Sequence, residues 1–97
     1  MFLVQLVFSD EAGRAADLMD GHNQWLREGF ADGAFLMAGS LQDRKGGAIL
    51  AQAANRQEIE MRLAADPFVA EGVVKTEIIA FRPGKVDPRL EFLLAGD

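Results

Sequence analysis

The first eight residues set the hardest constraint on the fold. Met1 to Phe8 reads MFLVQLVF, a run of aliphatic, β-branched and aromatic residues that predicts a strand. It is apolar at odd positions (Leu3, Val7) and at even ones (Phe2, Val4, Leu6, Phe8). Successive strand side chains point to opposite faces, so a strand with one face in water should alternate apolar with polar. Both faces of this strand are therefore expected to be covered. A second strand, Ala34 to Leu41, is apolar on both sides as well.

Between them lies a helical pattern. Ala15, Leu18, His22, Trp25, Leu26 and Gly29 follow the three-and-four spacing of one helix face, in a segment running to about Ala31. Ser9 or Asp10 is expected to cap it, Asp10 and Glu11 suit the positive end of its dipole, and Gly33 follows its end. Gln42 to Gly46 reads as a polar turn. Gly46-Gly47 supplies the backbone freedom of a hairpin, and Ala48 to Ala53 pairs back as a third strand. Asn55 caps a second helix with Ile59, Leu63 and Ala64 facing inward. Asp66-Pro67 interrupts it, because proline disfavours helical geometry at the residue before it, and Phe68 to Glu71 adds a short turn. Val73 to Arg82 is a fourth strand, ended by Pro83-Gly84. After Asp87-Pro88, Arg89 to Ala95 forms a short helix that leaves Leu90, Phe92, Leu93 and Leu94 exposed unless docked.

The order β-α-β-β-α-β is the split βαβ pattern of an α+β, ferredoxin-like fold. Right-handed crossovers place both helices on one face of a four-stranded antiparallel sheet. The simplest cover for the other face is a second copy, sheet against sheet, so a homodimer is expected. One domain occupies residues 1–84. A tail, 85–97, is a candidate to reach across to the partner.

Composition narrows the function. At 97 residues the chain builds one core. A net charge of -5 disfavours nucleic acid, which calls for clustered Lys and Arg. No apolar run is long enough for a membrane span. The first residues lack a basic leader and read as a strand rather than a signal peptide. With no cysteine, disulfides and thiol chemistry are excluded, nothing argues for secretion, and a cytoplasmic protein is expected. One His and no Cys leave a zinc site short of its usual ligands, so neither a metal nor another cofactor is expected.

The only histidine, His22, lies on the apolar helix face. Such a His is often a core residue satisfied by one carbonyl. The functional alternative is a general acid or base, worth about 10²–10⁴-fold in rate when oriented by a partner.

The motifs resemble those of the YCII-related family of small dimeric α/β-barrel proteins, over about Phe2 to Pro83. They are His22 followed by Trp25-Leu26, Gly33 to Gly39 (GAFLMAG), Gly46-Gly47-Ala48, and Asp66-Pro67-Phe68 leading to Gly72 (DPFVAEG). Ser40 stands where the family often has proline, and adds a hydroxyl. The resemblance implies a ferredoxin-like dimeric barrel and an active site of one His and one Asp, carried onto His22 and Asp66. Similar barrels include muconolactone isomerases, chloromuconolactone dehalogenases and small monooxygenases.

Asp66 before proline is also an ordinary turn residue. As a site residue it would accept a hydrogen bond from His22. Trp25, Pro67 and Phe68 are candidates to wall a substrate pocket, although such aromatics are more often core. Gly39 would let a ligand approach its strand, and Ser40 is kept as a substrate contact, since no nucleophile elbow surrounds it. Arg44-Lys45 reads as a solvated hairpin tip. Two main readings stand. One is a cofactor-independent acid/base enzyme, an isomerase or a lyase of the dehalogenase type, acting on a small organic acid. The other is a non-catalytic module that binds small molecules or partners as a homodimer. A cofactor-free monooxygenase is a third.

Overall fold

A computed structural model describes residues 1–94. Strand β1, Phe2–Phe8, is central, flanked by β3, Gly46–Ala51, and β4, Val74–Ala80; β2, Phe35–Ser40, lies outside β3. All three pairings of the order β2-β3-β1-β4 are antiparallel. Helix α1, Ala15–Ala31, links β1 to β2; α2, Arg56–Ala64, and α3, Pro67–Ala70, link β3 to β4. This is the ferredoxin-like α+β topology expected from the order of the elements.

The alternation in β1 sorts the two faces. Phe2, Val4 and Leu6 are buried with Ile49, Ala51 and Val74 of the neighbouring strands. Against them pack Trp25 of α1, Ile59 and Leu63 of α2, and Phe68 of α3, in one core cluster. Burying a large apolar side chain contributes about 1.5–3 kcal/mol, so this layer is the main source of stability. Leu3, Gln5 and Val7 point the other way and are only half-buried.

Several local expectations are corrected. Neither Ser9 nor Asp10 caps α1. A 3-10 turn, Ala12–Arg14, comes first, and Arg14 sits at the cap position without a side-chain capping bond. The Ser9 hydroxyl instead donates to the carbonyls of Gly72 (2.6 Å) and Val73 (3.1 Å) and accepts from the Glu11 N–H. It ties the end of β1 to the entry of β4. Gly46-Gly47 belongs to β3 and not to the turn, and β3 ends at Ala51, two residues early. A Cβ on Gly46 would lie 2.0 Å from the Leu6 carbonyl oxygen, and its φ is +144°. Glycine is required there because β1 runs so close. Asn55 does cap α2, accepting from the Glu58 N–H at 2.9 Å, and Ile59 and Leu63 are buried, but Ala64 is exposed. The tail forms a 3-10 segment, Pro88–Leu93, with Leu90, Phe92 and Leu94 exposed. Ala95, where the expected tail helix ends, lies outside the described residues.

Candidate active site

His22 sits in the middle of α1, three residues before Trp25, on the side turned toward the core. Its partner comes from the break between α2 and α3. Pro67 favours extended backbone at Asp66 (φ -70°, ψ 125°), which ends α2 and makes Asp66 the N-cap of α3. From there Asp66 Oδ1 accepts twice: from the Phe68 N–H at 3.0 Å and from His22 Nδ1 at 2.9 Å. An ionised carboxylate only accepts hydrogen bonds. The bonding pattern therefore puts a proton on Nδ1 and leaves the lone pair of the neutral ring on Nε2.

Burial makes this pair consequential. Asp66 is fully buried, and its Oδ2 has no hydrogen-bond partner among the described residues. A buried carboxylate is costly unless hydrogen bonds or an opposite charge offset it. The Phe68 N–H and the imidazole perform that task at one oxygen. When His22 is protonated, the contact is an ion pair. The His22 side chain keeps 12% of its surface, so the ring is sheltered but reachable.

Aromatic packing fixes the ring plane. His22 stacks on Phe68 with centroids 4.1 Å apart and planes 6° from parallel, and lies 5.8 Å from the Trp25 ring. Phe68 thus holds both members of the pair, the imidazole by its ring and the carboxylate by its N–H. Trp25 is anchored by Nε1–H donating to the Arg62 carbonyl at 2.9 Å. Both rings are buried and support the imidazole from behind. Pro67 packs against α1, its Cγ 3.0 Å from where a Cβ on Gly21 would sit.

The two remaining expected site residues lie on β2, on opposite faces of the sheet. Gly39 pairs with Ala48, which pairs with Gln5, and so shares the face away from the helices. Ser40 pairs with Gly47, opposite Leu6, and so lies on the helix side, where it is exposed. Ala38, on the same side, is exposed too, so α1 leaves this end of β2 uncovered.

Two residues enter that motif reading passed over. Phe8 stands 6.1 Å from Phe68, as its even position in β1 allows. Gly21 admits Pro67 beside His22; a glycine inside a helix, at a cost of about 1 kcal/mol, is the signal for such a packing need. At the start of α1, Arg14 bonds to Glu71 Oε1 at 2.8 Å. That hydrogen bond, reinforced by charge, raises the Arg14 guanidinium further above its usual range.

Two clefts lie apart from the pair. One of about 660 Å³ runs between the start of β1 and the tail, lined by Phe2, Gln52, Phe81, Arg82 and Leu93 among others. One of about 240 Å³ lies between α2 and β4. Among the described residues no three His, Cys, Asp or Glu side chains gather as for a metal, and no helix is long and apolar enough to cross a membrane.

Among solved structures, the chain is similar to 5-chloro-2-hydroxyhydroquinone dehydrochlorinase from Burkholderia phenoliruptrix AC1100, in complex with 2,5-dihydroxybenzoquinone. The TM-score is 0.72 at 18% identity, covering 86% of this chain and 94% of that one, a likeness of fold. No curated protein matches the chain. A family model, however, spans the sheet, both crossovers and the His22–Asp66 pair. It is that of the YCII-related domain, matched over residues 1–82, and the chain belongs to this family.

Proposed function

We propose that the protein is a cofactor-independent acid/base enzyme, an isomerase or a lyase of the dehalogenase type, acting on a small organic acid or a similarly acidic hydroxylated ring. The observation that carries the reading is the 2.9 Å contact from His22 Nδ1 to a fully buried Asp66. Asp66 orients the imidazole and offsets its charge when it takes a proton; His22 Nε2 is the transferring atom. In an elimination, Nε2 removes a proton from a carbon beside the leaving group. The electron pair of that C–H bond forms the new double bond, and chloride departs with the electrons of the C–Cl bond. In an isomerisation, Nε2 returns the same proton to another carbon. Trp25 and Phe68 hold the ring, and Ser40 contributes to the rim.

The working unit in this reading is a homodimer joined through the open sheet faces, closing a dimeric α/β barrel. Met37 and Ile79 on that face are 61% and 50% exposed. The tail beyond residue 84, with Phe92 55% exposed, docks on the partner.

The test is turnover of chlorinated hydroxyhydroquinones and of lactone and muconate-type acids, followed by chloride release and by uptake of solvent deuterium into substrate. Wild type turns over at least one of them. His22→Gln loses on the order of 10²-fold or more, and Asp66→Asn falls between the two. Full activity in His22→Gln overturns the catalytic role. Binding without turnover by wild type favours the module reading.

A further inference from the structure

The open face of the sheet is laid out in rows. Pairing aligns Met37, Leu50, Leu3 and Ile79 across all four strands, one apolar side chain from each. The next row is Gly39, Ala48, Gln5 and Glu77: small on β2 and β3, polar on β1 and β4. Arg44, from the β2–β3 connection, folds back over this second row. Its Nη2 donates to Gln5 Oε1 and, at 2.9 Å, to Glu77 Oε2. To reach β1 and β4 it must cross β3, where Gly46 and Ala48 leave a shallow lane on this face.

An arginine at a hairpin tip gains little in water by lying down. An exposed ion pair contributes about 0–1 kcal/mol and gives up the freedom of a long side chain. The arrangement suits a face that loses its water. Two-fold symmetry adds a charge argument. In a two-fold pair the same patch meets itself. About an axis through the second row, Arg44 of one copy approaches Glu77 of the other, and the reverse, so opposite charges alternate. A register setting Arg44 against Arg44 leaves like charges desolvated.

We infer that Arg44 and Glu77 fix the register in which two copies meet on this face, while the apolar row supplies the burial. The inference rests on the homodimer proposed above.

Sedimentation equilibrium of the full chain over a dilution series tests it, with far-UV circular dichroism confirming the fold of each variant. Wild type is expected to be a dimer. Arg44→Glu and Glu77→Arg each raise the dissociation constant by about tenfold or more, because like charges then face each other out of water. The double variant Arg44→Glu/Glu77→Arg restores the wild-type constant to within about threefold, since the alternation returns with its signs exchanged. Single variants that dimerise like wild type, or a double variant as weak as the singles, overturn the register role and leave the dimer standing. A wild type that stays monomeric at every concentration overturns both.

Discussion

The two faces of the sheet are built from the same strands and reach different ends. On the helix side, Val4 and Ile49 meet α1, α2 and α3, and little water touches them. On the other side, Leu3 and Leu50 stand in an apolar row whose ends, Met37 and Ile79, are exposed. On each face a carboxylate holds a cation-forming side chain against the sheet or its helices. Asp66 is fully buried and holds a His22 side chain that is 12% exposed, whereas Glu77 holds Arg44 with about half of each side chain in water. The same kind of contact is thus a rigid site where burial is complete and an adaptable surface where it is not.

The largest effect that sharpens this contrast is cavity formation. Ile59→Ala, in the covered layer, is expected to cost about 2–5 kcal/mol in urea unfolding. Ile79→Ala is expected to change the unfolding of a diluted, monomeric sample by no more than about 0.5 kcal/mol. Equal losses would mean that the two faces are packed alike. The next effect compares the carboxylates. Asp66→Ala removes the cap of α3 and leaves the His22 and Phe68 N–H groups without their acceptor, so a loss of about 2–4 kcal/mol is expected. Glu77→Ala in the same diluted sample stays within about 0.5 kcal/mol. A small loss for Asp66→Ala would show that the buried pair is less rigid than its distances imply.

Much of this contrast was legible in the sequence. The division of the first strand into an even and an odd set was legible, because the period of two survives any error in where a strand ends; that the even set meets the helices is settled only by the packing of α1, α2 and α3. The inward face of α1 was legible too: His22, Trp25 and Gly29 all turn toward the core. Asp66 was visible through Pro67, which disfavours helical geometry at the residue before it and so stops α2 there. Ends were harder. Ser9 carries every sign of a helix cap, but its hydroxyl is taken by carbonyls 63 and 64 residues away, a partner that no local pattern reveals. Gly46-Gly47 looks like turn chemistry, but both lie in β3, where Gly46 serves the close passage of β1. Gly39 and Ser40 are neighbours in a regular stretch of β2 and so fall on opposite faces, which keeps the two from serving one site. The return of Arg44 across β3 depends on three strands at once and has no signature in one segment.

The most direct test of the central claim is the protonation state of the single imidazole, read by ¹⁵N-correlated NMR with no assignment needed. The expected result for the neutral ring is a proton on Nδ1 and a bare Nε2 in wild type, with Asp66→Ala shifting the balance toward Nε2–H. A wild-type ring that carries its proton on Nε2, unchanged when Asp66 is replaced, would contradict an Asp66-oriented base at His22.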